Sequence, residues 1–225
     1  KLADEHKNVN QFFNMRCQEV DIESSICKFT NDKTGENIEV KSDYILGSDG
    51  AYSPVRLKMM KNDRFDYSQS YTKSGYKELN ITPTPDGNFA MDPDSLHIWP
   101  RGNFMMIALP NPDKSFTCTL FMPYAGKVGF DQINSDQEIL NFMNTYFADA
   151  VPLMPELLND FKRNPVGSLV TVRCYPWHMK KATLIGDACH AIVPFYGQGM
   201  NCAFEDCVEL DNCLEEFGDW DKAMN

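Results

Sequence analysis

The sequence predicts a mixed α/β fold, chiefly because two stretches pass from an apolar strand through an acidic turn into a helix. The turns of these stretches contain Asp49 and Asp187. Between them lies a long run of strand-like segments separated by short turns, which is typical of an antiparallel sheet. In α/β sheets, ligands bind at the ends of strands that lead into helices. The two acidic turns are therefore the candidate sites.

The N-terminal part of the sequence predicts strands and a hairpin. Apolar and polar residues alternate over residues 8–22, which indicates strands. A polar turn at residues 31–37 predicts a hairpin between Ile26–Thr30 and Ile38–Val40.

The first acidic turn follows an apolar strand that ends at Asp49-Gly50. Ser53 is a favourable N-cap and Pro54 suits the first helical position, so a short helix is predicted through Met60.

The middle of the chain predicts a sheet with two helices beside it. The segments around Trp99 and Phe104 are rich in large apolar groups, which could form the wall of a pocket for a flat ligand or fill the core. Ser135-x-x-Glu138 is a capping box that predicts a helix to Phe147. The other predicted elements are the strands Tyr71–Ile81, Ser95–Pro100, Phe104–Leu109, Ser115–Met122 and Leu169–Cys174 and the helix Glu156–Phe161.

The second acidic turn follows a buried strand predicted at Ala182–Ile185. Gly186 and Asp187 end this strand, and Gly197 and Gly199 let a flat or anionic ligand approach the start of the next helix. Unpaired N–H groups and the helix dipole favour negative charge at that position. The pattern predicts a ligand cradle, in which the aspartate accepts hydrogen bonds from a polyol.

The helix after the cradle is predicted to have Asn201 as its N-cap. Its acidic residues Glu205, Asp206 and Glu209 are expected to form a solvated face, with the first two close enough to interact with the helix dipole.

Charge and length limit the possible functions. The 225-residue chain has a formal net charge of -11, whereas nucleic-acid binding needs clustered lysine and arginine. The length allows one large domain or two small ones with a hydrophobic core. No apolar run in the sequence approaches the roughly 18 residues of a membrane span.

The eight cysteines are interpreted as reduced thiols, because none forms C-x-x-C and most lie in predicted strands or helices. This favours a cytosol-like reducing environment. Cys189-His190 suggests a nucleophile or a metal ligand, but no second histidine lies at ligand spacing. We therefore predict no metal site and expect His190 to be packed and hydrogen-bonded.

With these two turns, the sequence resembles the flavin-dependent aromatic hydroxylases. Their second fingerprint ends in Asp-Gly followed by Ser and Arg, which corresponds to Asp49-Gly50-x-x-Ser53-x-x-Arg56. Their third fingerprint is Gly-Asp-Ala-x-His followed by Pro and Gly-x-Gly-x-Asn, and it corresponds to Gly186–His190, Pro194 and Gly197–Asn201.

A closer match, to the members of that family that hydroxylate L-kynurenine, covers most of the chain. The stretches that carry it are residues 65–69, 96–101, 104–110, 114–123 and 194–201. The resemblance implies FAD as the cofactor, with NADPH and O₂ as further substrates. Reduced FAD would form a C4a-hydroperoxide, whose distal oxygen goes to the ring position of L-kynurenine ortho to the amino group, giving 3-hydroxykynurenine.

The same resemblance implies a domain division. Residues 1–63 and 174–225 would form a discontinuous FAD-binding domain of Rossmann-like type, and residues 64–173 an inserted antiparallel substrate-binding sheet.

The resemblance also implies which residues form the site, with the flavin doing the chemistry and no residue acting as acid or base. Asp187 and the Met200-Asn201 backbone would bind FAD, Asp49 would lie on its diphosphate and ribityl side, and the Cys17 backbone would contact the adenine. The implied FAD-binding set is Cys17, Asp49, Gly50, Arg56, Gly186, Asp187, Pro194, Gly197, Gly199, Met200 and Asn201. The implied pocket set is Pro194, Phe195, Gln198 and Phe104. The first three would lie between flavin and substrate and exclude water.

The sequence also departs from the family pattern. The Gly-x-Gly-x-x-Gly fingerprint that holds the FAD diphosphate is not found in it, nor are the Arg and Tyr that grip the substrate or the C-terminal membrane anchor. We therefore expect a partial chain that binds FAD poorly and is inactive alone. The resemblance places the parent protein at the cytosolic face of the mitochondrial outer membrane, attached through that C-terminal region. Cys189 stands where alanine is usual, a change expected to be neutral.

Two alternatives stay open at this point. One is a related flavin hydroxylase that acts on another aromatic ring, or an oxidase of the same fold. The other is a non-catalytic FAD-binding or interaction module.

Overall fold

The computed structural model describes residues 3–224 of the chain and divides it into two compact units. The first unit contains the residues up to 70 and those from 170 onward, and the second contains residues 71–169. Both boundaries fall inside strands. The observed boundaries lie at 70/71 and 169/170, whereas the predicted domain boundaries are 63/64 and 173/174. The predicted domain division stays a prediction.

The strands form sheets of both parallel and antiparallel pairs. In chain order they are β1 (Met15–Asp21), β2 (Ile26–Asn31), β3 (Asn37–Lys41), β4 (Ile45–Gly47), β5 (Asp66–Ile81), β6 (His97–Arg101), β7 (Phe104–Pro110), β8 (Phe116–Pro123), β9 (Gly167–Tyr175), β10 (His178–Met179) and β11 (Ala182–Leu184). Within the described residues the sheet orders are β1-β2-β3, β10-β11-β4 and β6-β7-β8-β5-β9.

The helices are mostly short. In chain order they are α1 (Pro54–Met59), α2 (Asp136–Tyr146), α3 (Leu157–Arg163), α4 (Asp187–His190), α5 (Gly199–Phe217) and α6 (Trp220–Ala223). Single 3-10 turns lie at Ala3–Glu5, Phe130–Gln132, Val151–Leu153 and Pro194–Tyr196. Between residues 3 and 224, none of the helices has the length and apolar character needed to span a membrane.

The predicted hairpin is confirmed, but the strand before it is shorter than predicted. β2 and β3 pair antiparallel around the expected turn. β1 begins only at Met15, which pairs with Asn31, the last residue of β2. The residues before Met15 therefore have no strand opposite them, and Val9 and Phe12 are exposed. The prediction of strands across residues 8–22 is wrong for its first part.

The first unit is built around the pairing of β4 with β11. These strands are parallel, whereas β10 pairs antiparallel with β11. Ile45 and Leu184 are buried between them and α1. Gly47 permits α1 to approach, because a Cβ at this position would lie 2.9 Å from the Val55 Cβ.

The second unit is the predicted antiparallel sheet with helices packed beside it. β5, β6, β7 and β8 pair antiparallel, with Ile81 opposite Phe116 where β5 ends. The Ser135 hydroxyl accepts from the Glu138 N–H at 3.3 Å, so the predicted helix start is confirmed. The core is formed by apolar side chains of the sheet and of α2 and α3, among them Leu79, Phe104, Met106, Leu120, Met143 and Phe161.

Candidate cofactor site

The two acidic turns lie at the same edge of one sheet. Leu184 of β11 is opposite Gly47 of β4, and the Ile185 N–H donates to the Gly47 carbonyl at 3.1 Å. Asp49 and Asp187 follow the ends of these two strands closely in the sequence. Because neighbouring parallel strands end at one edge, both aspartates leave the sheet there. Both are exposed.

Asp49 closes the first turn onto the start of α1. Its carboxylate accepts from the Val55 N–H at 3.2 Å. The Ser53 hydroxyl accepts from the Arg56 N–H at 2.9 Å, and Pro54 needs no N–H partner in the first turn. The predicted helix start is confirmed, and the N-terminus of α1 is closed by its own chain.

Arg56 connects the first turn to the second. Its guanidinium is buried and donates to the carbonyls of Ala188 and Ala51, both at 2.5 Å. It also lies 5.0 Å from the centre of the Tyr67 ring. Ala188 follows Asp187 directly, so one side chain fixes the spacing of the two turns. The structure gives Arg56 this positioning contact, and its contact with FAD stays a prediction.

Cys17 lies on β1 beside the first turn. Burial raises the pKa of its thiol, and the nearby Asp49 carboxylate raises that pKa further. Gly50, in the turn itself, has a φ of 81°, a conformation that favours glycine. The contact of the Cys17 backbone with adenine stays a prediction.

Asp206 of α5 holds the second turn, a role that the sequence did not reveal. Its carboxylate accepts from the Gly186 N–H at 2.6 Å and contacts the His190 Nε2 at 2.8 Å. The expectation that Asp206 belongs to a solvated face is wrong, because its side chain is only 15% exposed. His190 is packed and hydrogen-bonded, as predicted.

Gly186 is required at the second turn for two reasons. Its φ is 62°, and a Cβ at this position would lie 3.1 Å from the Cβ of Ala203. A side chain here would push α5 away from the turn. The close approach of the helix is what allows Asp206 to reach the Gly186 N–H.

α5 begins three residues earlier than an Asn201 cap requires. Its first residue is Gly199, and Gln198 occupies the N-cap position without a side-chain hydrogen bond to the helix. The predicted capping role of Asn201 is therefore wrong, and its amide instead donates to Gln198 Oε1 at 2.9 Å. Gly197 redirects the chain with a φ of 63°, so the first-turn N–H groups, including that of Met200, have no intrahelical acceptor.

Asp187 stands beside this open helix start. A Cβ added to Gly199 would lie 3.8 Å from the Asp187 Oδ1, and one added to Gly197 would meet no atom within 4 Å. An exposed carboxylate can accept hydrogen bonds from hydroxyls, and the free N–H groups can donate to an electron-rich ring edge or a phosphate. The residues present therefore fit a polyol-bearing anionic cofactor such as FAD.

The remaining predicted pocket residues lie in both units. Pro194 and Phe195 form a 3-10 turn with Tyr196, whose carbonyl accepts from the Gln198 amide at 2.9 Å. Phe104 belongs to the second unit, where it is buried against aromatic rings of α2. The pocket role of all four residues stays a prediction.

Comparison with protein families identifies the family of the chain. The family described as FAD binding domain matches residues 3–218, which include both acidic turns and the start of α5. The chain belongs to the FAD binding domain family. FAD is thus the cofactor of this family, and its contact with the exposed carboxylates and the open helix start stays a prediction.

Curated relatives named kynurenine 3-monooxygenase are similar to most of the chain. The Dictyostelium discoideum protein is 52% identical over 211 residues, which are 93% of this chain and 45% of the relative. The Flavobacterium johnsoniae protein is 45% identical over 222 residues, which are 98% of this chain and 50% of the relative. The Sus scrofa protein is 49% identical over 182 residues, which are 80% of this chain and 38% of the relative. The chain spans about half the length of the curated relatives it matches, or less.

Solved structures of other proteins share the fold. A tetrameric form of 2-methyl-3-hydroxypyridine-5-carboxylic acid oxygenase has a TM-score of 0.71 at 24% identity and covers 96% of this chain and 55% of its own. Tetracycline destructase Tet(51) has a TM-score of 0.62 at 18% identity, and the match covers 99% of this chain and 58% of the destructase chain. At these identities the likeness concerns the fold, and the predicted mixed α/β class with an FAD-binding domain is confirmed.

Proposed function

We propose that this chain is part of an FAD- and NADPH-dependent monooxygenase that uses O₂ to hydroxylate L-kynurenine to 3-hydroxy-L-kynurenine. The observation that carries the proposal is the shared sheet edge, where Asp49 and Asp187 leave adjacent parallel strands beside the open start of α5. Identity of 52% to a curated kynurenine 3-monooxygenase supports the choice of substrate. The reaction belongs to the kynurenine pathway of tryptophan catabolism, which leads to NAD.

When bound, FAD supplies the redox chemistry: it takes a hydride from NADPH and activates O₂ for transfer of one oxygen atom to the aromatic ring. The residues of this chain bind and orient it. Asp187 accepts hydrogen bonds from cofactor hydroxyls, and Asp49 does so on the diphosphate and ribityl side. The N–H groups of Met200 and Asn201, at the positive end of the α5 dipole, stabilise negative charge on the reduced ring.

The other predicted residues serve this arrangement indirectly. Pro194, Phe195 and Gln198 exclude water from the reacting oxygen, which would otherwise be lost as peroxide. Arg56 and Asp206 act as positioning residues, because each fixes the turn that carries an FAD-binding aspartate. The ring hydroxylation itself needs no acid or base from these residues.

The test is turnover in a protein of the relatives' length that contains this chain. NADPH oxidation is followed with and without L-kynurenine, and the product is identified by mass spectrometry. We expect L-kynurenine to stimulate oxidation and to gain one oxygen atom, and we expect the 225-residue chain alone to bind FAD poorly without turnover. Asp187→Ala should abolish stimulation, whereas Glu209→Ala, a matched acidic residue exposed on α5, should not.

Other outcomes identify the alternatives. Stimulation only by a different aromatic compound contradicts the kynurenine assignment and indicates a related hydroxylase. Bound flavin without NADPH oxidation indicates a non-catalytic module.

The proposal includes a location at the cytosolic face of the mitochondrial outer membrane, which rests on the resemblance alone. Cell fractionation followed by protease treatment of intact mitochondria tests it. A protease-sensitive mitochondrial protein is expected, and recovery only in the cytosol contradicts the location.

A further inference from the structure

Three potential metal ligands converge behind the second acidic turn. Cys189 and His190 lie in α4, and Asp206 lies in α5. The Cys189 Sγ, a ring nitrogen of His190 and a carboxylate oxygen of Asp206 all lie within 4.8 Å of one another. None of these atoms has a part in the cofactor contacts proposed above.

This donor set has the chemistry of a zinc site. Thiolate, imidazole and carboxylate are the usual zinc ligands, and three protein ligands with one water form a common tetrahedral arrangement. Bonds of about 2.0–2.3 Å place neighbouring ligand atoms about 3.2–3.8 Å apart. The His190 Nε2 and Asp206 carboxylate are now 2.8 Å apart, so an ion needs only a small opening of that contact and a small approach of the sulfur.

The surrounding contacts hold the ligands in place. The Trp177 ring lies 5.2 Å from the His190 ring, and the Asp206 carboxylate is tied to the Gly186 N–H at 2.6 Å. The Cys189 thiol donates to the Gly186 carbonyl at 3.1 Å, which puts a further oxygen beside the cluster.

The cluster is partly accessible to solvent. The side chains of His190 and Asp206 are 22% and 15% exposed, whereas Cys189 is fully buried. An ion can therefore enter past the imidazole and the carboxylate and meet the sulfur at the floor of the site.

We propose that Cys189, His190 and Asp206 form a binding site for a thiophilic divalent cation, with Zn²⁺ as the ion that fits best. The bound ion joins α4 to α5 across the Gly186 turn and so fixes the segment that carries Asp187. The sulfur makes the site selective, because Mg²⁺ and Ca²⁺ prefer oxygen ligands alone. The site is independent of the proposed hydroxylase activity.

Cobalt titration of the purified chain tests this site directly, with Co²⁺ as a spectroscopic probe for Zn²⁺. We expect saturable binding of one ion, a thiolate-to-cobalt charge-transfer band in the near ultraviolet, and loss of the band when Zn²⁺ is added. Zn²⁺ should also raise the melting temperature, because it binds only the folded chain.

The variants identify the ligands. Cys189→Ala and the size-matched Cys189→Ser should lose the band, and His190→Gln and Asp206→Asn should weaken Co²⁺ binding at least about tenfold. Cys207→Ala, an exposed thiol on α5, and Cys174→Ala, whose thiol donates to the Cys189 carbonyl, should keep the band. Circular dichroism on the same samples checks folding.

The outcomes that overturn the proposal are equally clear. The proposal is contradicted if Co²⁺ does not bind saturably to the wild-type chain. It is also contradicted if the charge-transfer band persists in both folded Cys189 variants. A band that disappears in Cys207→Ala assigns the sulfur to another place and has the same consequence.

Discussion

The two acidic turns start their helices in opposite ways. At the first, Asp49 and Ser53 satisfy N–H groups of α1. At the second, no side chain caps α5, and among residues 3–224 the Asp187 carboxylate has no hydrogen-bond partner. A missing N-cap costs about 1 kcal/mol of stability. The chain therefore closes one helix start with its own side chains and leaves the other open, as the proposed cofactor site requires.

The largest expected effect comes from breaking the connection between the two turns. Arg56→Met leaves the carbonyls of Ala188 and Ala51 without their donors in a buried region. Each buried unsatisfied carbonyl costs about 1–3 kcal/mol, so the free energy of unfolding should fall by roughly 2–5 kcal/mol. Urea denaturation followed by circular dichroism measures this change.

The matched control for Arg56 is the same substitution at an exposed arginine. Arg16 pairs with Asp32 at 2.9 Å on the surface, and such pairs contribute about 0–1 kcal/mol. Arg16→Met should therefore change little. Equal stability of the two variants contradicts the claim that Arg56 holds the turns together.

A smaller effect should distinguish the two helix starts. Ser53→Ala removes the cap of α1 and should lower the free energy of unfolding by about 1 kcal/mol. Gln198→Ala, at the uncapped start of α5, should change it by less than about 0.5 kcal/mol. Thermal or urea unfolding of both variants provides the measurement. A loss at Gln198 as large as that at Ser53 contradicts the difference between the turns.

The smallest effect concerns acid sensitivity of the strands that lead to the second turn. The His178 Nδ1 contacts the Thr183 hydroxyl at 3.0 Å, and burial lowers the pKa of this imidazole below its ordinary 6.5. The unfolded chain therefore binds the proton more tightly than the folded chain. Stability should fall as the pH drops from about 6.5 to the lower folded pKa, and level off below it.

The check for His178 is the difference in urea midpoint between pH 7.5 and pH 5.5. His178→Gln should show a smaller drop than the wild-type chain, since the other titrating groups are common to both. An unchanged drop contradicts the assignment.

Local signals in the sequence predicted local structure well. Ser53 with Pro54, Ser135 with Glu138 and the polar turn of the hairpin act within a few residues, so their patterns could be interpreted directly. The alternation of apolar and polar residues before Met15 gave a wrong strand prediction. A strand also needs a partner, and β2 ends opposite Met15.

The contacts that organise the site connect distant parts of the chain. Arg56 and Ala188 are 132 residues apart, and Gly186 and Asp206 are 20 apart. No periodicity predicts such pairs. The prediction of no metal site stays untested; it considered only a second histidine near Cys189-His190, whereas Asp206, the third group of the cluster, lies on another helix.

The most direct test of the proposed cofactor site is the FAD affinity of a protein of the relatives' length that contains this chain. Quenching of flavin fluorescence gives the dissociation constant for the wild-type protein, Asp187→Ala and the control Glu209→Ala. Loss of hydrogen bonds from a carboxylate costs about 1.5–3 kcal/mol, so Asp187→Ala should weaken FAD binding at least about tenfold. Glu209→Ala should bind like the wild-type protein. An unchanged affinity in Asp187→Ala would contradict the assignment of the second acidic turn and the open start of α5 to the cofactor.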